Sequence, residues 1–238
     1  MVAVPTSPLV RRLARCSCLT PQDIAVFTGA FEGRTRRLGP RREIVADGEA
    51  RPIVSAIVSG WAARARTLED GRRQIVGLLL PGDFCDLHTG LVGWMDHSVV
   101  SLTPVTVLDI PRARITRLRE AAPRLTRCLI RELLVEASLA REWAVNLGRR
   151  AALERIGHLM CEVFVRLEVA GLAERDSCDF MLTQSELGDA TGLSTVHVNR
   201  TLQELRASGL IVQENARLTI PDFEKFAQAS GFDRGYLH

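Results

Sequence analysis

The chain has 238 residues, of which 46% are hydrophobic and 25% charged, an ordinary composition for a globular protein of one or two domains. No apolar run approaches the roughly 18 residues that a membrane span needs. Pro5, Pro8 and the Arg11-Arg12 pair interrupt the apolar stretch that an export signal requires. We therefore expect a cytoplasmic protein with no membrane partner. Six cysteines, none in a C-x-x-C pair, are expected to be mostly free thiols.

The net charge of +3 hides a difference between the two parts of the chain. Residues 1–150 carry 23 basic and 15 acidic side chains, whereas residues 151–238 carry 8 and 13. A domain that binds nucleic acid is usually basic. The charge of the C-terminal part therefore counts against nucleic-acid binding there, unless positive charge is concentrated locally.

The N-terminal half is predicted to be mostly β-structure. Residues 1–20 are predicted to form a loose arm, and a short helix is predicted from Pro21 to Phe31. From Ile44 to Ile110 the chain is rich in β-branched and apolar residues, in short stretches separated by turn signals such as Asp70-Gly71. Several short strands with regularly spaced turns indicate a β-barrel or jelly roll.

A long helix is predicted next, because Pro123 suits the first turn of a helix that runs to about Arg149. Apolar residues recur in this helix at steps of 3 and 4, which is a heptad pattern. The pattern consists of Ile130, Leu133, Ala137, Ala140, Ala144 and Leu147. We favour a symmetric dimer through parallel copies of this helix. The alternative is that this stripe and its neighbour, with Leu125 and Trp143, both enter one core.

Residues 151–171 predict an amphipathic helix ended by Gly171, and the stretch "CDFML" predicts a short strand after it. The segment "TQSELGDATGLSTVHVNRTLQELRASGLI" (183–211) then predicts two short helices. Thr183 and Glu186 form a capping box at the start of the first helix.

Gly192 suits the sharp turn between these two short helices, and Ser194 can cap the second one. Two short helices around a glycine turn are typical of a helix-turn-helix. The stretch "IVQENARLTI" (211–220) predicts the two strands of a wing.

On a helical wheel of the second short helix, Val198, Leu202 and Leu205 fall in one narrow arc and are predicted to be buried. Asparagine and arginine can each form two hydrogen bonds with a base edge in the major groove, and an apolar side chain can contact a thymine methyl group. We predict that the opposite arc contacts DNA. The opposite arc consists of Val196, Asn199, Arg200 and Gln203. The predicted contact set also includes Arg206, for its local positive charge, and Ser194 and Thr195 at the start of the helix.

This order of elements resembles the Crp/Fnr family of bacterial transcription regulators from about residue 20 onward. The motifs that carry the resemblance are "LPGDFCDLH" (80–88) and "LSTVHVNRTLQELRASGLI" (193–211). The resemblance implies a homodimer on a two-fold-related DNA site, with recognition helices about 34–36 Å apart. It places the base-reading positions on Thr195, Val196, Asn199 and Arg200. Val196 stands where many members have Glu, so their usual operator is not assumed.

The predicted effector pocket departs from the cyclic-AMP-binding members of that family. In them a Gly-Glu pair after the "GDF" turn holds the ribose and an Arg-Ser pair holds the phosphate. The matching positions here are Asp86-Leu87 and His97-Ser98. Leu87 cannot accept hydrogen bonds, His97 is a weak substitute for a guanidinium group, and Asp86 would repel a phosphate. We expect an effector other than cyclic AMP, in a pocket formed by Asp86, Leu87, His88, His97 and Ser98.

Cofactor binding is considered for two groups of residues. Redox-sensing members of the family hold an iron–sulfur cluster, which needs four ligands, and the spacing of Cys16 and Cys18 from Cys85 and Cys128 does not fit. A thiol switch at Cys16 and Cys18 is the other redox alternative.

The second group contains Asp86, His88, Asp96 and His97, which together with Cys85 could bind a metal ion or haem. Ordinary surface histidines explain the same pattern, and this is the interpretation that we favour. We predict no cofactor and no metal ligand, and leave an unknown small-molecule effector open. His158 and His197 are predicted to be helix residues without special partners.

The sequence therefore predicts an α+β protein with four parts: an arm (1–20), a jelly-roll sensor domain (21–122), a dimerisation helix (123–149) and a winged helix-turn-helix domain (150–238). The predicted function is a transcription regulator that binds double-stranded DNA as a homodimer, with RNA polymerase left open as a further partner. The alternative is an effector-binding module whose winged helix contacts protein. No Gly-rich phosphate loop, G-x-S-x-G elbow or H-E-x-x-H motif is present, so no enzyme activity is predicted.

Overall fold

The computed structural model describes residues 7–15, 19–30 and 33–237. The chain divides into two compact units, one formed by Met1–Arg64 with Leu78–Glu136 and the other by Ala65–Gly77 with Ala137–His238. No helix in the described ranges is long and apolar enough to cross a bilayer.

The first unit contains helices α1 (Pro8–Ala14), α2 (Pro21–Ala30), α3 (Thr89–Val92) and α4 (Arg112–Ala121). The loose arm expected over residues 1–20 is wrong for α1, a helix that opens with Pro8 and buries Leu9, Val10 and Leu13. These side chains join an apolar cluster with residues of the strands and of α4. The burial of three large apolar side chains stabilises a helix that is too short to form on its own.

Seven strands build the barrel: β1 (Arg34–Leu38), β2 (Glu43–Val45), β3 (Ile53–Ser59), β4 (Ala62–Thr67), β5 (Arg73–Leu79), β6 (Ser98–Ser101) and β7 (Val105–Pro111). They form a three-stranded sheet in the order β1-β7-β3 and a four-stranded sheet in the order β2-β6-β4-β5. One core cluster takes Ile57 and Val107 from the first sheet and Val45 and Val99 from the second. The predicted jelly roll is confirmed.

Two features of the barrel were not predicted from sequence. Strand β1 is the charged stretch "RTRRL", which lacks the apolar alternation of a half-buried strand, and it pairs with β7 over its whole length. The run "IVSAIVSGWAARART" is divided into β3 and β4 at Gly60, which has φ +77°. A Cβ atom at Gly60 would lie 2.1 Å from the Pro104 carbonyl oxygen, so glycine is required at this turn.

A long helix, α5 (Pro123–Arg149), has the bounds that the sequence predicts. The elements that follow it are α6 (Ala152–Ala170), β8 (Ala173–Glu174), β9 (Ser177–Asp179), α7 (Gln184–Thr191), α8 (Thr195–Ala207), β10 (Val212–Glu214), β11 (Arg217–Thr219), α9 (Phe223–Ala229) and a 3-10 helix (Arg234–Leu237).

The C-terminal part has the architecture of a winged helix-turn-helix. Helix α6 ends at Gly171 in the left-handed conformation and packs against α8 and α9, while α7 packs against α8. The four small strands form a sheet in the order β10-β11-β9-β8, so β10 and β11 are the predicted wing. The predicted strand "CDFML" is shorter, because only Cys178 and Asp179 of it belong to β9.

Candidate functional site

Local hydrogen bonds and glycines hold α7 in position before α8. The Thr183 hydroxyl accepts a hydrogen bond from the Glu186 backbone N–H, and a Glu186 carboxylate oxygen accepts from the Thr183 backbone N–H at 2.8 Å. This is the predicted capping box. Gly192 ends the helix with φ +67°. A Cβ atom at Gly188 would lie 2.7 Å from the Leu193 carbonyl oxygen, so this glycine lets the turn approach α7 closely.

Helix α8 is held by one buried face. Val198, Leu202 and Leu205 are buried, as the helical wheel predicts, and Thr201 is buried beside them. The Ser194 hydroxyl accepts a hydrogen bond from the His197 backbone N–H at 3.3 Å, so Ser194 serves as the N-cap that the sequence predicts. These contacts fix which side of α8 faces outward.

The opposite arc of α8 is accessible to a partner. Val196 is 79% exposed, and the other exposed members of the predicted contact set are Ser194, Thr195, Arg200, Gln203 and Arg206. Asn199 is half-buried, and its side-chain amide donates to Gln184 Oε1 at 3.3 Å. Arg200 Nη2 lies 3.1 Å from His197 Nε2. All seven predicted side chains therefore lie along the accessible side of α8 and its N-cap.

Two carboxylates of the small sheet share one arginine. Arg217 of β11 lies 2.9 Å from a Glu174 carboxylate oxygen and 3.3 Å from an Asp179 carboxylate oxygen. Both carboxylates belong to strands of the same sheet. Part of the acidic excess of residues 151–238 is therefore paired with Arg217, an arginine outside α8.

Helix α5 buries one stripe and exposes another. Leu125, Leu129, Val135 and Trp143 are buried. The predicted dimer residues divide between the exposed positions Ile130, Ala137, Ala140 and Ala144 and the half-buried positions Leu133 and Leu147. The exposed stripe also includes Leu134, at 62%, and Val145, at 47%. Sequence reasoning missed these two residues because the heptad pattern took in Leu133 and Leu147, which are half-buried, instead.

His158 of α6 has specific partners, so the prediction that it has none is wrong. Its Nε2 lies 3.3 Å from Glu142 Oε1, and its ring stacks on Tyr236 and meets the edge of Phe232. Burial, together with the charge of Arg150, lowers the pKa of His158 to about 4, against the opposing effect of Glu142. His158 is therefore neutral near pH 7, and its partners come from α5 and the C-terminus.

Glu162, one turn further along α6, is a fully buried carboxylate that sequence reasoning also missed. It accepts hydrogen bonds from Trp143 Nε1 at 3.0 Å, Arg166 Nη1 at 2.9 Å and the Tyr236 hydroxyl at 3.2 Å. Burial raises its pKa, and the arginine and the hydrogen bonds oppose this. The cluster is a structural link between α5, α6 and the C-terminal 3-10 helix.

The five residues of the predicted effector pocket do not face one space. Asp86 is buried, and its Oδ1 accepts a hydrogen bond from the Ser55 backbone N–H at 2.7 Å. Leu87 lies in an apolar cluster with residues of α1, α4 and α5. The Ser98 hydroxyl donates to Glu43 Oε1 at 2.8 Å. Burial raises the pKa of Asp86 to about 6, against its hydrogen bond to Ser55 and the charge of Arg51.

Of these five residues, Leu87 lines an apolar cleft of about 150 Å³. Its other walls come from β3, α3, α4 and the first half of α5, with residues such as Val54, Leu91, Ile115 and Leu129. Arg112 is at its edge and donates to the Thr89 carbonyl oxygen at 2.8 Å. This cleft is lined chiefly by hydrocarbon, and Arg112 is the charged residue of its lining.

The structure does bring His88 and His97 together, with Asp96 between them. The two imidazole rings stack at a centroid distance of 5.7 Å. His97 Nδ1 lies 2.6 Å from Asp96 Oδ1, and His88 Nε2 lies 3.9 Å from the same oxygen. Burial lowers the pKa of both imidazoles, assisted by the charge of Arg64.

The described cysteines are buried thiols. Cys85, Cys128, Cys161 and Cys178 are buried, and burial raises the pKa of Cys161 and of Cys178 to about 12. A thiol in such surroundings is a poor nucleophile and a poor redox sensor. Cys16 and Cys18, the residues of the thiol-switch alternative, lie outside the described residues.

Comparison with known proteins matches each half of the chain to a domain family. Residues 35–122 match the cyclic nucleotide-binding domain family, and residues 154–229 match the Crp-like helix-turn-helix domain family. The transcriptional activator protein FnrL of Cereibacter sphaeroides is 29% identical over 230 residues, which cover 94% of this chain and 90% of FnrL. The transcriptional activatory protein AadR of Rhodopseudomonas palustris is 30% identical over 227 residues, which cover 94% and 89% of the two chains.

The fold has a counterpart among solved structures. FixK2 from Bradyrhizobium japonicum superimposes with a TM-score of 0.74 at 22% identity, over 82% of this chain and 96% of FixK2. Three observations indicate the same family. They are the order of barrel, long helix and winged helix-turn-helix, the outward arc of α8, and these matches, which cover most of each chain. The chain belongs to the Crp/Fnr family of DNA-binding transcription regulators.

Proposed function

We propose that α8 lies in the major groove of DNA and reads base edges with its outward arc. The observation that carries this proposal is that Asn199, Arg200 and Gln203 lie on the side of α8 opposite its buried residues. Their side chains can donate to and accept from base edges. Val196 is a large apolar side chain left exposed, and a thymine methyl group is a contact that suits it.

The acidic balance of residues 151–238 is compatible with this proposal because several of the acidic side chains have partners within the protein. Glu186 caps α7, Glu162 is buried against Arg166, and Glu174 binds Arg217. Helix α8 itself carries the exposed Arg200 and Arg206 and one carboxylate, Glu204. The helix that would meet the phosphates and bases therefore has a net positive charge.

We further propose that two copies of the chain pair through the exposed stripe of α5. An exposed row of Ile130, Leu134, Ala137 and Ala144 would be costly in water and matches a helix–helix contact with small residues near its centre. A two-fold pair of chains presents two copies of α8 to a two-fold-related site. RNA polymerase is the partner through which such a bound dimer would change transcription.

Cyclic AMP is not the effector in this proposal. Leu87, at the position of the ribose-binding Glu of cyclic-AMP-binding members, lies in an apolar cluster. Asp86 is held by Ser55, and His97 by Asp96. Neither a ribose hydroxyl pair nor a phosphate finds its partners there.

Selection from a pool of random-sequence DNA duplexes tests the DNA-binding proposal, because no operator needs to be known beforehand. We expect enrichment of a two-fold-symmetric sequence whose half-sites are separated by a whole number of helical turns. Affinity for the enriched duplex should fall steeply with salt, since phosphate contacts release counterions. No enrichment above the starting pool, at any salt concentration, would contradict the proposal. In vitro transcription from a template with the enriched site then tests the contact with RNA polymerase.

A further inference from the structure

The loop between β5 and β6 places three metal-ligating side chains together. His88 precedes α3 as its N-cap, and Asp96 and His97 directly precede β6. The loop is closed on a neighbouring turn by two backbone hydrogen bonds, from Gly48 to the Met95 carbonyl oxygen at 2.8 Å and from Met95 to the Glu49 carbonyl oxygen at 3.1 Å. One ligand-type atom from each of His88, Asp96 and His97 lies within 4.8 Å of the others.

Three of the four ring nitrogens of this cluster have no hydrogen-bond partner in the part of the chain that the structure describes. Both nitrogens of His88 and Nε2 of His97 are buried and form no hydrogen bond with the described residues. A buried polar atom without a partner destabilises a fold by about 1–3 kcal/mol. Three such nitrogens in one loop are therefore unusual for a structural role alone, and neutral imidazole nitrogens are strong metal ligands.

Asp96 lies between the two imidazoles of the cluster. Its Oδ1 is 2.6 Å from His97 Nδ1 and 3.9 Å from His88 Nε2, so one carboxylate oxygen stands beside a ring nitrogen of each histidine. The Asp96 side chain is itself mostly exposed, so it can adjust when a ligand arrives.

The charges around the loop also allow a cation. Arg64 is the nearby positive group, and its Nη2 lies 2.9 Å from Glu136 Oε1. Part of the Arg64 charge is therefore compensated by Glu136.

We propose that His88, Asp96 and His97 form a binding site for a divalent first-row transition metal ion. Two imidazoles and one carboxylate are a ligand set for Zn²⁺, Fe²⁺, Co²⁺ or Ni²⁺ rather than for Mg²⁺ or Ca²⁺, which prefer oxygen ligands. Ligands at about 2.0–2.1 Å from Zn²⁺ stand about 3.4 Å apart in a tetrahedron. The cluster therefore has to contract by about an ångström, which the exposed Asp96 side chain makes possible.

Metal binding stands on the loop geometry alone, whereas a regulatory use of the metal rests on the proposed DNA-binding function. Of the three residues, His97 stands at the position of the phosphate-binding Arg of cyclic-AMP-binding members of the family. A metal ion bound there would order His88 and, through it, the start of α3. The metal ion would then be the effector, in place of a cyclic nucleotide.

Titration of untagged, chelator-treated protein with Co²⁺, followed by visible absorption, tests the site, and competition with Zn²⁺ and Ni²⁺ tests its selectivity. We expect one Co²⁺ per chain with nitrogen and oxygen ligands and no sulfur-to-cobalt charge-transfer band. His88→Gln and His97→Gln should each weaken binding at least tenfold. Asp96→Asn, which replaces the carboxylate ligand by an uncharged amide, should also weaken binding by roughly tenfold or more.

His197→Gln on α8 is the matched control and should bind Co²⁺ like the unmodified chain. Cys16→Ser with Cys18→Ser controls for binding by the N-terminal thiols and should also have no effect. The proposal is overturned if the unmodified chain shows no Co²⁺ absorption and no metal-induced rise in melting temperature, or if the loop variants bind as tightly as the control. Duplex selection with chelator present tests DNA binding separately, so either proposal can fail without the other.

Discussion

Helices α5 and α8 each bury one face and expose the other, but their exposed faces differ in chemistry. On α5 the exposed stripe is apolar, with Ile130 and Leu134 at 50% and 62% exposure. On α8 the exposed arc carries Asn199, Arg200 and Gln203. Both helices follow the same rule of amphipathic packing on their buried side.

The difference between the two faces indicates what should cover each of them. Burying an apolar stripe away from water lowers the free energy, so such a stripe is best covered by another apolar surface. A row of hydrogen-bonding side chains with two arginines gains most from a partner that is polar and negatively charged. We therefore propose a protein partner for α5 and a nucleic-acid partner for α8, and the following variants test this assignment.

The largest effect is expected from Ala137→Glu at the centre of the exposed α5 stripe. Two copies of this glutamate would meet across the two-fold axis as buried, unpaired carboxylates, which is strongly destabilising. We expect the dimer dissociation constant to rise roughly 100-fold or more, measured by analytical ultracentrifugation over a range of concentrations. Ala140→Glu, about 60° away on the helical wheel, should have a smaller effect.

Ala229→Glu is the matched control, because Ala229 is an exposed alanine at the end of α9. It adds the same charge to the chain and should leave the dimer intact. If Ala137→Glu has the same dimer dissociation constant as the control, the apolar stripe of α5 is not the dimer contact.

The next largest effect concerns His158, which links α6, the helix behind α8, to α5. Its pKa is about 4 in the folded chain and about 6.5 in an unfolded one. Folding therefore favours the neutral form, and the stability gained from this is present above pH 6.5 and is lost as the pH falls through 4. The loss amounts to about 3 kcal/mol at 1.4 kcal/mol per pKa unit.

Chemical denaturation at several pH values measures this loss. His158→Gln should lose less stability than the unmodified chain between pH 6.5 and 4, by up to about 3 kcal/mol. His197→Gln, the same substitution on another helix, should keep the pH profile of the unmodified chain. Parallel profiles for all three proteins would show that His158 is not held neutral by its surroundings.

The features that sequence predicts best are those set by local rules. The capping box at Thr183, the turn at Gly192 and the buried face of α8 all depend on residues within a few positions of each other. The same holds for the start of α5 at Pro123. Family resemblance added the order of the domains and the likeness of the "LPGDFCDLH" stretch to a ligand-binding loop.

The features that were missed depend on residues far apart in the chain. His158 meets Tyr236 and Phe232 only after the C-terminus folds back on α6. The divergent surroundings of Asp86 and Leu87 are set by Ser55 and by α1, α4 and α5. Neighbours of this kind leave no periodic signal in the sequence. The sequence therefore indicated which residues belong to the barrel loop but not which residues they contact.

Arg200→Ala tests the polar face of α8 directly. Loss of a two-hydrogen-bond contact with a guanine edge should weaken binding to the selected duplex by about 1–3 kcal/mol, or roughly 5- to 150-fold. Specificity at one base pair of each half-site should be relaxed, as read by repeating the duplex selection. Lys225→Ala removes the same charge from exposed α9 and should leave specificity unchanged.

A different result for Arg200→Ala would change the assignment of this residue. If affinity fell equally for all sequences and the salt dependence dropped by about one counterion, Arg200 would contact a phosphate rather than a base. Unchanged affinity would remove α8 from the interface.

The smallest effect is expected from Thr183→Ala. This substitution removes the cap of α7, which packs against α8, and leaves the exposed faces of α5 and α8 unchanged. The substitution removes the hydroxyl that accepts from the Glu186 backbone N–H and donates to its carboxylate at 2.8 Å. We expect a loss of about 1 kcal/mol in stability, measured by thermal unfolding, with Thr183→Ser restoring most of it. The selected DNA sequence and the dimer dissociation constant should stay the same, because partner choice is set by the exposed faces and not by the cap. A changed DNA preference in Thr183→Ala would show instead that α7 takes part in reading the duplex.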